Sequence, residues 1–234
     1  MKKIICFFLA VVLLCSCGKN SLHIKGQFEN ARHRQLYLSL LTTDGLVLLD
    51  STRLHRNAFD FCVKANDLPE GMNISDPLFL QLSFSRENAL TTLAQFGQTV
   101  EIRADANDLI HTYKVKGPID TKLMWQLDSA LAVFVCQTDT LMQVYQTYMH
   151  NDSVRSAVEY KYNRLTDAHT QYLRDFIGQN PHSLSSVIAF YQVYNNRRFL
   201  EEKTDVELFH LLVDSLSATY PNNEYVKYLQ RRRG

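Results

Sequence analysis

The sequence predicts an α+β protein in which an N-terminal antiparallel β-sandwich or open barrel is followed by a C-terminal α-helical domain. Short alternating apolar segments between turn residues fill residues 22–117, whereas apolar residues recur every three or four positions over residues 118–234. The chain is 46% hydrophobic, with 12 Tyr and 13 Phe, which is enough apolar surface for a packed core. We therefore expect one or two folded domains.

Strand signals follow one another through the first half. Residues 22–28 alternate, and Ala58–Lys64 alternates with three apolar side chains on one face. Asp44 and Gly45 form a turn pair between apolar segments and predict a hairpin. The remaining strands are expected at residues 36–41, 47–49, 78–84, 90–96, 99–104 and 113–115.

Helical periodicity begins after Gly117. Apolar residues from Leu123 to Phe134, and again from Val158 to Phe176, are spaced three or four apart and predict two amphipathic helices. Thr204 and Glu207 have the spacing of a capping box, which predicts a helix start with Thr204 as the N-cap. The whole C-terminal half is therefore predicted to be helical.

The N-terminus has the pattern of a secretory signal. Lys2 and Lys3 precede an apolar segment at residues 4–14. This segment is too short to cross a bilayer, which takes about 20 apolar residues. Residues 14–17, Leu-Cys-Ser-Cys, resemble the bacterial lipobox, in which an aliphatic residue and small residues precede a cysteine. The alternative is an ordinary cleaved signal with a cysteine there by chance.

The lipobox predicts that residues 1–16 are a lipoprotein signal peptide and that Cys17 carries the lipid. Residues 17–21 would then be a lipidated tether, and two or three acyl chains would hold the mature chain durably on a membrane. Residues 18–21 contain neither an aspartate directly after the cysteine nor an acidic run. We therefore expect a lipoprotein that faces the periplasm and is attached to the outer membrane.

Charge gives no argument for a nucleic-acid partner. Removal of residues 1–16 takes away two lysines and no acid, so the formal net charge changes from +1 to −1. A nearly neutral chain lacks the positive field that attracts phosphates. The basic residues 231–233 lie near the C-terminus, where a frayed, solvated tail is favoured over a binding patch.

Motif searches find no catalytic residues, no metal site and no cofactor site. The sequence contains no G-x-x-x-x-G-K-[ST], H-E-x-x-H, G-x-S-x-G, G-x-G-x-x-G or C-x-x-C. Residues 105–108 look superficially like a calcium loop but lack its glycine and glutamate, so a polar turn is expected. His169 lies in an apolar stripe, where a hydrogen-bonded histidine is favoured over a metal or proton role. Helix packing is favoured over a stacking platform for the aromatic residues 190–194.

Two cysteines remain in the mature chain once Cys17 carries lipid. Cys62 falls on the polar face of its strand, and Cys136 falls opposite the apolar face of its helix. A disulfide between them would stabilise the fold only if their Cα atoms lay within about 7 Å. Two free thiols are the favoured expectation, and a Cys62–Cys136 disulfide is the alternative.

The arrangement resembles a group of lipoproteins from the Bacteroides group. Their lipobox precedes a β domain of unknown function (DUF4369), a helical segment and a thioredoxin-like (AhpC/TSA-type) thiol-disulfide oxidoreductase domain. The resemblance rests on the following segments, none of which carries a catalytic residue: residues 24–28, 49–52, 58–61, 99–102, 113–117, 176–183 and 220–223. In the family, the thioredoxin-like domain would begin near Gly234, where this sequence ends, so the residues of its redox chemistry are not present.

Two classes of function follow. The first is a lipid-anchored cell-envelope protein that is not an enzyme and that binds a protein or a small ligand as a binding or scaffold module. The second, implied by the resemblance, is an accessory partner or truncated relative of a thioredoxin-like oxidoreductase. The expected partners are the membrane, through the lipid on Cys17, and an envelope protein.

Overall fold

Two four-stranded sheets form the first half of the protein in the computed structural model, which describes residues 20–233. One sheet has the order β4-β1-β7-β8 and the other the order β3-β2-β5-β6. The predicted α+β class is confirmed. The strands are β1 (Ser21–Glu29), β2 (Gln35–Thr42), β3 (Gly45–Arg53), β4 (Ala58–Lys64), β5 (Leu78–Ser83), β6 (Ala89–Ala94), β7 (Thr99–Asp105) and β8 (Lys114–Lys116).

Helices dominate the chain after β8. None of the helices in the described part of the chain is long and apolar enough to cross a membrane. The helices are α1 (Leu109–Thr112), between β7 and β8, then α2 (Ile119–Thr147), α3 (Asp152–Gln179), α4 (Ser185–Phe190), α5 (Val206–Thr219) and α6 (Glu224–Arg232).

A small hairpin interrupts the helical half, so the expectation of an all-helical half is wrong at this point. Strands β9 (Val193–Tyr194) and β10 (Arg197–Arg198) pair antiparallel. Between them Asn195 and Asn196 have φ values of 48° and 61°. Two consecutive left-handed residues are the requirement of a type I′ turn, and asparagine tolerates that conformation better than most residues.

The first sheet is mixed rather than purely antiparallel. Strand β1 pairs antiparallel with β4 but parallel with β7. The chain leaves this sheet after β4, forms β5 and β6 in the other sheet, and returns to the free edge of β1 as β7. Gly26 lies between the two neighbours of β1, opposite Phe59 and Ile102. A Cβ atom there would overlap the carbonyl oxygen of Ile102, so this register requires glycine.

The second sheet packs against a hydrophobic core on each of its two faces. The inner faces of both sheets enclose one core, which includes Phe28, Phe61 and Leu80. The opposite face of the second sheet is covered by helices, and Phe79 and Leu93 pack there against helical residues. Because both of its faces are covered, β5 reads as a nearly continuous apolar segment rather than an alternating one.

The start of α5 differs from the expected capping box. The helix begins at Val206 with Asp205 as its N-cap, and no side chain caps it. The Asp205 carboxylate instead accepts hydrogen bonds from Arg174 Nε at 2.9 Å and from the backbone N–H of Glu201 at 3.0 Å. The prediction of Thr204 as the cap is therefore wrong. The ion pair of Asp205 with Arg174 on α3 and its contact with Glu201 orient the start of α5 instead.

Candidate functional site

The lipidation residue, Cys17, lies outside the described residues, as do the signal peptide 1–16 and most of the tether. Both remaining cysteines are described, and both are free and exposed. Cys62 lies on β4 and Cys136 on α2, on the polar faces predicted for them. The structure therefore holds them as two free thiols.

His169 is a hydrogen-bonded core residue. Its Nε2 atom lies 2.6 Å from the side-chain oxygen of Gln192, and its ring stacks on Phe134 with centroids 4.8 Å apart. Burial lowers the pKa of His169, although the contact with Gln192 raises it. A buried histidine with one polar partner and aromatic neighbours packs the core between α2 and α3, and the hydrogen bond is the one that the sequence favoured.

The two other segments considered from the sequence are also parts of the scaffold. Residues 105–108 form a polar turn in which Asp105 accepts the backbone N–H of Asn107 at 2.9 Å, and Asp108 caps α1. In the aromatic segment 190–194, Phe190 ends α4 and is fully buried. Tyr194 belongs to β9 rather than to a helix, so helix packing explains only part of that segment.

Exposed apolar residues gather at the far end of the α2–α3 hairpin. These helices have 29 and 28 residues and are therefore each roughly 43 Å long. We call residues 139–165, which include both far ends and the connecting loop, the arm. Within the arm only Val158 is buried. The arm thus extends past the elements that cover the near ends of the same helices.

The apolar stripe of α2 continues into the arm, where no other element of the described chain covers it. Leu127 and Phe134 are buried on this stripe, and Leu141, Tyr145 and Tyr148 continue it at spacings of three, four and seven. Leu141 and Tyr145 are half-buried, and Tyr148 is 54% exposed. Large apolar and aromatic side chains left exposed together at one end of a fold mark an interaction surface.

A groove runs along one side of the arm between α2 and α3. Two shallow, open depressions of about 510 Å³ and about 300 Å³ share Leu141 and Lys161, and we call them together the arm groove. Apolar side chains form its floor, and two cationic side chains, Lys161 and Arg164, line it as well. The lining residues are Gln137, Thr140, Leu141, Val144, Ser153, Val154, Ala157, Val158, Lys161, Arg164 and Leu165.

The cations of the arm groove have no acidic partner in the part of the chain that the structure describes. Ion pairs elsewhere occupy other basic residues, including Arg155 with Asp152 near the start of α3. Lys161 and Arg164 therefore give the groove a positive rim that no ion pair among the described residues neutralises.

A second, smaller pocket joins the sandwich to α6. Its volume is about 160 Å³, below the roughly 300–1,000 Å³ of most ligand sites. Asp76 is buried there and accepts hydrogen bonds from Asn73 at 2.9 Å and from Asn223 at 3.2 Å. Thr43 contacts the Glu224 carboxylate at 3.3 Å. These contacts link β-sheet loops to the helical half, which makes the pocket a structural junction.

Comparison with known proteins assigns no function to these sites. No protein-family model matches the chain, and no curated protein matches it. The arm groove must therefore be interpreted from its own geometry. It could not be recognised from the sequence because residues 141–149 have ordinary helical periodicity, and only the fold shows that no element among residues 20–233 covers them.

Proposed function

We propose that this protein is a lipid-anchored cell-envelope protein, not an enzyme, that binds a partner protein through the arm groove. The occupant is an amphipathic helix that presents an apolar stripe flanked by acidic side chains. The observation that carries this proposal is the apolar floor of the groove beside two cations, Lys161 and Arg164, that form no ion pair with any described residue.

The shape and chemistry of the floor favour a helix. Two packed helices leave a lengthwise groove between them, and a third helix placed there buries apolar residues spaced three and four apart. Both helices contribute apolar side chains to this floor. They are Leu141 and Val144 of α2 and Val154 and Leu165 of α3. Exposed methionine and tyrosine residues on the same arm, Met142 and Tyr148 among them, are typical of the centres of protein interfaces.

The positive charge of the groove favours an acidic helix over a basic one as the occupant. An acidic side chain over Lys161 or Arg164 would gain an attractive partner, whereas a basic one would be repelled. Attraction of this kind increases the association rate and weakens with added salt. The proposed complex should therefore depend on both charges and on ionic strength.

The lipobox supports the cellular setting of the proposal. Lipid on Cys17 would hold the chain at a membrane surface, with the arm free to meet periplasmic proteins. The periplasmic leaflet of the outer membrane is the location we propose. Anchoring confines the search for a partner to the envelope.

Site-specific photo-cross-linking in the native host tests the proposal. A benzophenone amino acid in place of Val144, which is 36% exposed in the groove, should capture a partner. Peptide mapping of the product should identify a segment with helical apolar periodicity and flanking Asp or Glu. The matched control position is Gln146, which is exposed and lies about 200° around α2 from Val144.

Purified components then test the charge requirement. The captured segment, made as a synthetic peptide, should bind the whole protein, and Lys161→Glu with Arg164→Glu should weaken binding by on the order of tenfold or more. Gln146→Glu, on the opposite side of α2 from Val144, should leave the affinity unchanged. A cross-link to a second copy of the chain, a captured segment without acidic residues, or equal binding by the charge-reversed protein would contradict the proposal.

A further inference from the structure

Three polar side chains stand together on the outer face of the first sheet. His23 on β1 and Cys62 on β4 are direct cross-strand partners. Cys62 Sγ lies 3.7 Å from His23 Nε2, and His23 Nδ1 lies 3.7 Å from Asp60 Oδ1. Ser21 Oγ also contacts His23 Nε2, at 3.4 Å. A thiol, an imidazole and a carboxylate are thus aligned in order.

The strand pairing holds this arrangement in place. Asp60 and Cys62 are two residues apart on one strand and therefore share a face. The next cross-strand pair, Ile24 with Phe61, points the other way and is buried in the sandwich core. Because the register of β1 and β4 is anchored by that core, His23 and Cys62 stay opposite each other without a loop having to order.

The thiol is open to an incoming reactant. Cys62 is exposed, the His23 side chain is 20% exposed, and the Asp60 side chain is 64% exposed. The reactive species of a cysteine is its thiolate, so a neighbouring base that takes the proton favours attack. His23 Nε2 can accept the Cys62 proton when its Nδ1 carries a hydrogen, and the Asp60 carboxylate, 3.7 Å from Nδ1, is close enough to attract the positive charge that the ring then gains.

We propose that Cys62 is a thiol-disulfide exchange site that reacts with low-molecular-weight disulfides, with His23 as the base and Asp60 as the residue that positions it. The Cys62 thiolate attacks one sulfur of a disulfide RSSR, an S–S bond forms between Cys62 and that sulfur, and the original S–S bond breaks. The proton passes from Cys62 through His23 to the leaving thiolate, which departs as RSH. Cys62 is oxidised and the external disulfide is reduced, so the exchange needs no other co-reactant.

A disulfide suits this site better than an acyl substrate does. Acyl transfer needs donors fixed around a developing oxyanion, whereas exchange requires only access for the attacking thiolate to a sulfur atom. A sheet surface with an exposed thiol provides that access. The product is a stable mixed disulfide, which makes Cys62 a modification site.

Cys136 supplies an internal control. It is also free and exposed, but it lies on α2, and its sulfur has no hydrogen-bonded histidine within the described part of the chain. Exposure alone would give the two thiols similar rates. A difference that depends on His23 can therefore be assigned to the base.

The test measures site-resolved modification of the whole mature protein by oxidised glutathione at pH 7, with peptide mass spectrometry reporting each cysteine. We expect Cys62 to react on the order of tenfold faster than Cys136. His23→Gln should abolish most of this advantage, Asp60→Asn should reduce it, and neither should alter the Cys136 rate. That unchanged rate, with an unchanged circular dichroism spectrum, shows that the variants are folded.

The contrary outcomes are equally definite. Equal rates at Cys62 and Cys136 would overturn the proposal, as would a Cys62 rate that is the same with and without His23. If Cys62 still reacts faster than Cys136 after full denaturation, the difference in rate comes from local sequence. That result would also overturn the proposal.

Discussion

Tyr113 donates a hydrogen bond of 2.5 Å to Asp128 and so joins the end of the sandwich to α2. Trp125, one turn earlier on the same helix, donates from its indole N–H to the backbone oxygen of Tyr113 at 2.8 Å. These contacts fix the orientation in which α2 leaves the sheets. Burial raises the pKa of Asp128 to about 6, although the hydrogen bond from Tyr113 lowers it.

The raised pKa of Asp128 predicts a pH-dependent loss of stability. An ordinary aspartate titrates near 3.8, so between about pH 4 and pH 6 the folded protein binds more protons at this site than the unfolded chain does. The free energy of unfolding should therefore fall as pH rises through this window, by up to about 3 kcal/mol from this group. Asp128→Asn can keep the hydrogen bond from Tyr113 but cannot ionise, so it should remove this loss.

Urea unfolding of wild type and Asp128→Asn at several pH values between 4 and 7.5 measures the effect. The variant should gain stability relative to wild type as pH rises through the window. Other acids, such as Asp205, whose pKa is lowered, act equally in both proteins and cancel in the difference. A difference in stability that does not change with pH would show that Asp128 titrates normally.

Gly26→Ala should destabilise the sandwich severely. The added methyl group would overlap the Ile102 carbonyl oxygen and lie 2.9 Å from the Phe59 ring, and backbone atoms on a paired strand cannot move aside. We expect a loss of about 3 kcal/mol or more. Chemical denaturation followed by circular dichroism gives the value.

Gly178→Ala is the matched control for this substitution. Gly178 is in α3 and has no heavy atom near its absent Cβ, so alanine should add helix propensity and stabilise the protein by up to about 1 kcal/mol. Equal effects of the two substitutions would show that the close approach at Gly26 relaxes at little cost.

Local pattern predicted most elements but few of their partners. The alternation of Ala58–Lys64 gives the strand and its buried face, because burial on one side of a sheet repeats every two residues. The local sequence of β1 does not indicate that its parallel neighbour is β7. The contact of His23 with Cys62, 39 residues apart, likewise depends on the register of β1 with β4. The arm groove could not be predicted either, since periodicity marks an apolar face and only the assembled fold shows whether it is covered.

Cys17→Ala should abolish membrane attachment of the mature protein. The lipobox predicts the lipid on the Cys17 sulfur, and without it the chain should accumulate as an unprocessed or released product. Membrane fractionation and the apparent size of the protein in the native host report both effects. Cys15→Ala is the control, because a small residue at that position keeps the lipobox pattern. A Cys17→Ala protein that stays membrane-bound at the normal mature size would refute lipidation.

The purified protein should not catalyse reduction of a protein disulfide. Catalytic turnover requires a second thiol close enough to release the mixed disulfide, usually in a C-x-x-C motif, and the sequence contains none. Cys62 and Cys136 lie on β4 and α2, in different halves of the chain. A mixed disulfide at Cys62 would therefore persist until an external thiol removed it.

Insulin reduction by dithiothreitol separates this non-catalytic behaviour from the redox role that the family resemblance implies. Wild type and Cys62→Ser should both leave the rate of insulin precipitation at the uncatalysed background, even if oxidised glutathione modifies Cys62 in wild type. A rate above background that disappears with Cys62→Ser or Cys136→Ser would contradict the non-enzymatic function and would favour the oxidoreductase-related alternative. Because the insulin assay measures turnover and the glutathione assay a single exchange, failure of one proposal would not be mistaken for failure of the other.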